Sequence, residues 1–507
     1  MTKKKKDKKL YGPVFILMSI IIFISILSFI FSIFEIEGYR TVIANGTLVT
    51  SLITVKNIIS IEGFKFIIGN AVSNFLSFEP LVLLIIALFG IGICERSGFL
   101  YAIFSPFKRI KLNIIIFFTL LIGVLSTLLG EYSYIFLIPL IGVIYKYLGK
   151  NPILGIIVVF LGITLGYGTG LIFNYNDYLL GNLTQISATL EVDKNYKYSL
   201  FSNIYLMWFS TIIFPLIGTL IIDKFLVNKV TRKYAIEEEQ LIISKKATEG
   251  AIFFGIIYIL FVIYLILPIN IPFAGILLDN DASRYMEKLL GTSSPFGNGL
   301  VIIISLLFVI CGYIYGRLSK NIKNGHEFSL GLSKNFENLG FLLVLMFFIS
   351  QLSAIISWTN IGNVIAVNLI DLLNGMQMSG IILIVIFFIL VIIMGILIPG
   401  TVEKWELLSP TIIPLFMRAN ITPGFTQFIF RLADGVSKSL TPVFIYFIIM
   451  IGFLEKYNNN EKKQINVFET LKMILPTVII MAIFWILFIC LWYIIGLPIG
   501  IGVYSTL

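Results

Sequence analysis

Histidine is nearly absent from this chain of 507 residues: there is one, His326, in a polar stretch. A single histidine argues against a zinc hydrolase or a histidine-based catalytic triad. Cysteine is almost as scarce. Cys94, Cys311 and Cys490 all lie in apolar segments and show neither paired nor metal-ligating spacing, so they read as core residues. Charge is also thin, at 13% Asp, Glu, Lys and Arg, about half the roughly 25% of soluble domains. No Walker A glycine loop occurs, so ATP hydrolysis does not drive this chain directly.

What is abundant is apolar surface. Hydrophobic residues make up 58% of the chain, and the mean hydropathy is +0.99. A soluble domain could not hide that much, so lipid has to cover part of it. The formal charge of +10 would suggest nucleic acid in a soluble protein. In a membrane protein it is explained by basic residues gathered in cytoplasmic loops, and no nucleic-acid partner is expected. The run Lys3 to Lys9 precedes an apolar stretch from Pro13 to Phe34. That stretch is too long for a signal-peptide core and no small-residue cleavage site follows, so it is expected to stay as a first transmembrane helix. The preference for Ile, Lys, Asn and Phe fits an AT-rich bacterial genome, and the expected location is the bacterial cell (inner) membrane, multi-pass, with a cytoplasmic N-terminus.

A helix needs roughly 20 apolar residues to cross a bilayer. Segments 12–34, 152–175, 203–225, 249–268, 298–316 and 466–497 meet that length. Three further crossings are interrupted: 64–104 around Ser77 to Pro80, 338–374 around Trp358 to Asn360, and 421–452 by Arg431, Asp434, Lys438 and Pro442. Two regions are polar at their midpoints. Residues 111–150 contain Ser126, Gly130, Glu131, Ser133 and Pro139; residues 378–418 contain Pro399, Gly400, Glu403, Lys404 and Pro410. Broken backbone at membrane depth survives only inside protein or beside a cavity, so each region is expected to be a re-entrant hairpin.

The expected fold is therefore an all-α polytopic membrane protein, with about nine transmembrane helices plus two opposed re-entrant hairpins in inverted repeats. The charge distribution supports this layout. Segments 1–11, 105–111, 146–151, 226–248, 317–337 and 454–465 hold about 23 Lys and Arg and the opposite side about six, as the positive-inside rule requires. Counting a hairpin as a single crossing would move Lys229, Arg232, Lys233, Lys245 and Lys246, or Lys456, Lys462 and Lys463, to the wrong side. The organisation expected is a basic cytoplasmic N-terminus (1–11), a first repeat (12–225) with hairpin 111–150, and a connecting region (226–297). A second repeat (298–497) with hairpin 378–418 and a short tail (498–507) follow. Both hairpins carry an Ile-Pro-Leu on the returning arm, at Ile138-Pro139-Leu140 and Ile413-Pro414-Leu415. Repeats with discontinuous helices mark secondary transporters, with the site between the repeats.

Ionisable residues inside a membrane are candidates for function by default. Glu131 sits at the first hairpin tip, where unpaired backbone groups can hold an ion; structurally it would cap the second arm. Asp177 follows the glycine-rich Gly166 to Gly170, where the bland alternative is a loop aspartate. At the second tip, Glu403 and Lys404 can pair with the rest of the site, and Trp405 can stack on an aromatic ligand or a cation; the alternative is an interfacial belt. Arg431, Asp434 and Lys438 recur at i, i+3 and i+7 and so share one helix face. An Arg–Asp pair there would neutralise itself, as a substrate clamp or a helix lock, leaving Lys438 to pair with Glu131 or Glu403. Glu95 and Arg96 read as an ion pair at a helix boundary.

Together these stretches resemble the AbgT family, the p-aminobenzoyl-glutamate transporters and antimetabolite exporters of bacteria. The resemblance is carried by LFGIGICERSGF (88–99), LLGEYSYIFLIPL (128–140), SWTNIG (357–362), GTVEKWELLSPTIIPL (400–415) and TQFIFRLADGVSKSLTP (426–442). It spans nearly the whole chain in order. It implies a homodimer of nine crossings and two opposed hairpins, with an inner dimerising core and an outer core holding substrate and coupling ion. It also implies functional roles for Asp177, Asn360, Trp405, Arg431, Asp434 and Pro442. Three positions depart from the family pattern. Gly130-Glu131 replaces its Ser-Asp, Val402 and Glu403 stand in its Ser-Ala-Ser-Ala-Lys-Trp tip, and Lys438 replaces an Asn. An ammonium near a sodium site would repel sodium or replace it. A divergent member is expected, proton-coupled or sodium-independent, with an altered substrate.

The function expected is ion-gradient-driven secondary transport, by symport or antiport, of a small organic anion. The resemblance suggests p-aminobenzoyl-glutamate uptake or sulfonamide and antimetabolite efflux; a short-chain or dicarboxylic acid is the alternative. Asn360, Trp405, Arg431, Lys438 and Glu403 are the expected substrate ligands. Glu131, Asp177 and Asp434 would handle a coupling proton or sodium ion, with sodium placed near Asp177 and Asp434 and no other cofactor. An intramembrane enzyme would need a catalytic constellation that the sequence lacks. A passive channel would need a continuous polar lining, whereas the polar residues here cluster at the breaks.

Overall fold

The computed structural model describes residues 12–44, 47–231, 241–269, 271–337, 339–375, 378–458 and 464–507. The basic N-terminus 1–11 and part of the loop 226–248 lie outside them. In chain order the helices are α1 (Pro13–Ile33), α2 (Ile61–Leu76), α3 (Glu79–Ser97), α4 (Phe99–Phe104), α5 (Leu112–Ser126), α6 (Tyr132–Tyr147) and α7 (Pro152–Leu165). Next come α8 (Tyr175–Glu191), α9 (Ile204–Ile222), α10 (Asn228–Thr231), α11 (Lys245–Ile266), α12 (Tyr285–Leu290), α13 (Pro295–Leu318) and α14 (Gly325–Ser333). The last are α15 (Gly340–Thr359), α16 (Ile361–Asn374), α17 (Gly380–Gly395), α18 (Thr401–Arg418), α19 (Pro423–Lys438), α20 (Ile445–Lys456) and α21 (Val467–Ile495). Two small antiparallel ribbons complete the chain: β1 (Glu37–Ala44) with β2 (Thr47–Thr54), and β3 (Pro498–Gly500) with β4 (Val503–Tyr504).

The all-helical membrane architecture expected from hydropathy is present. Among the described residues, eight helical spans are long and apolar enough to cross a bilayer. Seven coincide with expected crossings, and the eighth, Leu112–Leu129, is the first arm of the 111–150 region. The interruptions fall where polar residues and prolines cluster. Residues 111–150 divide into α5 and α6 at Thr127–Glu131, and residues 378–418 into α17 and α18 at Ile396–Gly400. Asn360 ends α15 and opens α16 with φ +57°, a left-handed backbone that asparagine tolerates better than most residues.

Two expectations need correction. Segment 152–175 is not one crossing: α7 stops at Leu165, an irregular stretch runs from Gly166 to Asn174, and a further helix, α8, follows. The three glycines remove the side chains that would continue the apolar face, and Asn174 accepts from the Asp177 N–H at 2.9 Å to start the new helix. A second such break divides α19 from α20 at Ser439–Phe444. The other correction is the β1–β2 ribbon. Its signal was present in the sequence, as β-branched runs on either side of Asn45-Gly46.

Burial separates the helices into two kinds. Only Ala247, Ala251 and Gly255 of α11 are buried, so its apolar face is left for lipid. Every residue of α7 and of α19 is buried. Helix α7 packs on α5, α6, α19 and α20, while α19 also meets α8, α17, α18 and α21. Each broken helix is stitched to the break before it. Asn174 donates to the Thr127 carbonyl at 2.8 Å, and Thr441 donates to the Ile396 carbonyl at 2.9 Å. Four interrupted segments thus converge, and the Asn174 and Thr441 side chains satisfy carbonyls left free at the Thr127 and Ile396 breaks.

Helices α5 and α7 approach closely because Gly123 faces Gly162. A Cβ at Gly123 would lie 2.9 Å from the Gly162 backbone. Gly123→Leu is expected to force the pair apart at a cost of about 1–3 kcal/mol, read as a lowered melting midpoint of the purified protein. An unchanged midpoint would contradict this packing.

Candidate functional site

Both hairpin-like breaks deliver a helix N-terminus to the same place. At the first, Gly130 adopts φ +59° and Glu131 precedes α6, with no side-chain cap hydrogen bond there. At the second, Thr401 begins α18. Helix α19 runs past both and carries Gln427, Arg431, Asp434 and Lys438 in fully buried positions. An apolar interior tolerates such groups only when they are paired and hydrogen-bonded, and the pairings are specific.

Arg431 does not pair with Asp434 along its own helix. Its Nη1 lies 2.8 Å from Asp177 Oδ1, and its Nη2 donates to the Tyr167 carbonyl at 3.1 Å. Asp177 in turn accepts from the Asn174 N–H at 2.8 Å, so the carboxylate that seals Arg431 also caps α8. The expected self-neutralising face is thereby corrected: the i, i+3 geometry allowed the local pair, but the unwound stretch before α8 presents a better acceptor.

Asp434 is satisfied by the second break. Lys404 Nζ donates to its Oδ1, the Thr401 hydroxyl donates to its Oδ2 at 2.6 Å, and Lys438 Nζ lies 3.4 Å from that same oxygen. Lys438 also donates to the Thr401 hydroxyl at 2.7 Å and lies 3.8 Å from Glu131 Oε1. The Tyr167 ring centre is 4.3 Å from its ammonium and the Phe444 ring centre 5.3 Å. Lys404, Lys438 and Asp434 are fully enclosed, whereas 40% of the Glu131 side chain is exposed. Lys404, Lys438, Asp434 and Glu131 sum to zero charge, as Arg431 and Asp177 do, and the exposed Glu403 carboxylate lies beside them at the cavity wall. The carboxylates expected to neighbour sodium are already matched by protein cations, so the arrangement does not fit a sodium ion beside either.

The remaining candidates are placed differently. Trp405 is fully buried, packed against Phe430 in a tilted arrangement (35°) with ring centres 4.6 Å apart, and its Nε1–H is shared between Thr184 Oγ1 and the Leu180 carbonyl. Its ring is therefore not open to a ligand in this conformation. Asn360 is part-buried and serves the α15–α16 break through its backbone. Glu403 is exposed. Glu95 lies 3.9 Å from Lys146 rather than pairing with its neighbour Arg96. The sequence reading singled out Lys404 as a residue that could pair with the rest of the site, as it does with Asp434, and did not include Thr401 or Tyr167. Lys404 was detectable as one of few charges inside an apolar hairpin; the two hydroxyl residues carried no such signal.

Two cavities open beside this cluster and share Glu131, Glu403 and Tyr446. The larger, about 620 Å³, reaches from Glu79 past Gly130 and Glu131 to Asn176, Asn298 and Thr401. The smaller, about 440 Å³, includes Arg40, Ser357, Pro399, Gly400 and Glu406. Both therefore touch the first and second breaks at once. Their volumes suit a small organic solute.

Asp434→Ala would leave two enclosed ammoniums with one half-exposed carboxylate. A loss of about 3–5 kcal/mol is expected, seen as a large fall in melting midpoint or in the yield of monodisperse protein. Glu403→Ala, at an exposed position with no ion pair among the described contacts, is expected to shift the midpoint little.

The sequence profile of the AbgT putative transporter family matches residues 4–507. The p-aminobenzoyl-glutamate transport protein of Escherichia coli (strain K12) is 27% identical over 501 residues, covering 98% of this chain and 95% of the relative. Two solved structures are also similar. The Alcanivorax borkumensis YdaH transporter, reported to have an unusual topology, has a TM-score of 0.49 at 24% identity, covering 97% of this chain and 100% of that one. Neisseria gonorrhoeae MtrF, reported from a class of antimetabolite efflux pumps, has a TM-score of 0.49 at 26% identity, covering 98% of each chain. The chain belongs to the AbgT putative transporter family.

Proposed function

We propose that this protein is an ion-gradient-driven secondary transporter of a small organic anion, with p-aminobenzoyl-glutamate the first solute to try, by symport or antiport. In this reading residues 12–225 and 298–497 are inverted repeats and 111–150 and 378–418 re-entrant hairpins. The protein works as a homodimer with its N-terminus cytoplasmic. The observation that carries the reading is the enclosed charge network where four broken segments meet, at the wall of two cavities. Buried intramembrane charges are costly, and discontinuous helices around them are how secondary transporters build a site. The name of the Escherichia coli relative supplies the solute.

Arg431 and Lys438 are the groups that would take a substrate carboxylate. Each already holds an internal carboxylate, Asp177 or Glu131, so an entering anion would take over a position that the protein occupies itself. Glu131 is the more accessible of the two carboxylates and the natural carrier of a coupling proton. Trp405 would meet an aromatic ring only after α18 moves relative to α8, since Leu180 and Thr184 now hold its indole.

A second reading has its own support. Among the described residues, the charged groups lining the larger cavity are Glu79, Glu131 and Glu403, with Tyr132, Tyr175 and Tyr446 beside them and no lysine or arginine. Carboxylates and aromatic faces favour an organic cation or a zwitterion. Competition between solutes separates the readings: benzoate-type acids should compete under the first, aromatic amines under the second.

The direct test is uptake of labelled p-aminobenzoyl-glutamate into vesicles containing the purified protein under an imposed pH gradient. Transport is expected for the wild type and is expected to be abolished in Arg431→Ala while that variant still inserts in the membrane. Unchanged transport in Arg431→Ala would remove the proposed anchor, and solute-independent flux without counterflow would point to a channel.

A further inference from the structure

Asp434 carries one negative charge but is held by two ammoniums, and the two are placed differently. Lys404 bonds to Oδ1 and closes the helix contact between α18 and α19. Lys438 reaches past Oδ2 into a separate cage. There its Nζ meets the Thr401 hydroxyl at 2.7 Å, Asp434 Oδ2 at 3.4 Å and Glu131 Oε1 at 3.8 Å. The Tyr167 and Phe444 rings cover it with centres at 4.3 and 5.3 Å.

Those five groups, taken without the lysine, are what a small monovalent cation would choose. Two are anionic oxygens, one is a hydroxyl oxygen and two are aromatic faces. Thr401 is oriented for this, because its proton goes to Asp434 and its lone pairs are left for a cation. The cage also has a route to solvent. Thr401 and Glu131 line the larger cavity, so its rim faces water while its floor is enclosed. Charge balance then decides occupancy. With Lys438 in place the cluster is neutral, and a sodium ion added to it would leave an uncompensated positive charge in an apolar interior.

We propose that the Lys438 ammonium is a tethered resident cation, filling a monovalent-cation site built from Asp434, Thr401, Glu131, Tyr167 and Phe444, so that sodium does not bind there. This deepens the transporter reading, on which only its consequence for coupling rests: the driving ion at this site is not sodium. Truncation to alanine removes three methylenes and the ammonium, leaves the cluster with a net negative charge, and opens a site for sodium or for propylammonium, the fragment removed.

The test uses the full-length protein in detergent with choline chloride as background, and no organic solute. Equilibrium binding of radioactive sodium is measured for the wild type, Lys438→Ala, Lys438→Gln and Lys438→Arg. The wild type and Lys438→Arg are expected to bind no sodium saturably. Lys438→Ala is expected to gain saturable binding that propylammonium displaces, with a melting midpoint that rises with either cation. Saturable sodium binding to the wild type would overturn the proposal. So would a monodisperse Lys438→Ala or Lys438→Gln that gains no cation binding. If neither variant folds, the wild-type measurement decides alone. A failure of p-aminobenzoyl-glutamate transport would sink the solute assignment and leave this result intact, and sodium binding to the wild type would do the reverse.

Discussion

Charge enclosed in an apolar interior has to be cancelled where it sits, and the core of this protein is organised around that requirement. Arg431, Lys404 and Lys438 are all buried, and only Lys438 has an acidic partner on its own helix, Asp434 at i−4. Asp177 answers Arg431 from the unwound stretch before α8. Asp434 answers Lys404 from across the α18–α19 contact, and Glu131 faces Lys438 from the first break. Each of these pairs joins two different segments, and α19 already packs on α8 and α18, so the pairings help fix how the broken helices meet. Removing one partner leaves a buried charge, which costs far more than a surface ion pair contributes.

The breaks and the charges explain each other. An unwound segment at membrane depth exposes backbone donors and acceptors that lipid cannot satisfy. Here Asn174 and Thr127 satisfy one another across the first pair of breaks, and Thr441 and the Ile396 carbonyl across the second. The same openings let Glu131 and Thr401 face the cavities while Asp434 and the lysines stay enclosed. A layer of groups that reach water thus lies over a layer that does not. Alternating access needs a site whose internal bonds can be exchanged for bonds to a solute or ion, and half-exposed Glu131 is the member of the network best placed to exchange.

Much of the fold was legible because its signals are local. Apolar runs gave the spans, and Gly130-Glu131, Pro399-Gly400 and Asn360 marked the breaks. Segment 152–175 passed for one crossing because its glycines count as neither polar nor charged. The β1–β2 ribbon was missed because its alternation lies between two strongly apolar helices. The candidate site was legible as a set of residues and not as a set of pairs. Helical spacing put Arg431, Asp434 and Lys438 on one face and suggested an Arg431–Asp434 pair, with Lys438 left to reach Glu131 or Glu403; Glu131 lies 3.8 Å from it. Arg431 instead meets Asp177 and Asp434 meets Lys404, both from other segments of the chain, and hydropathy carries no information about such contacts. Trp405 shows the same limit: its indole belongs to Thr184 and Phe430 in this conformation, which no local pattern announced.

The intramembrane charges are held as mutually compensating pairs between broken segments. The pair on which this arrangement depends most directly is Asp177 with Arg431. A double-mutant cycle on thermal stability, with Asp177→Asn, Arg431→Gln and the combined variant, measures their coupling. Each single change leaves an unmatched buried charge and should lower the melting midpoint sharply. The double variant should recover much of that loss, with a coupling energy of about 1–3 kcal/mol. Additive losses, with the double variant as unstable as the sum of the two, would contradict the account.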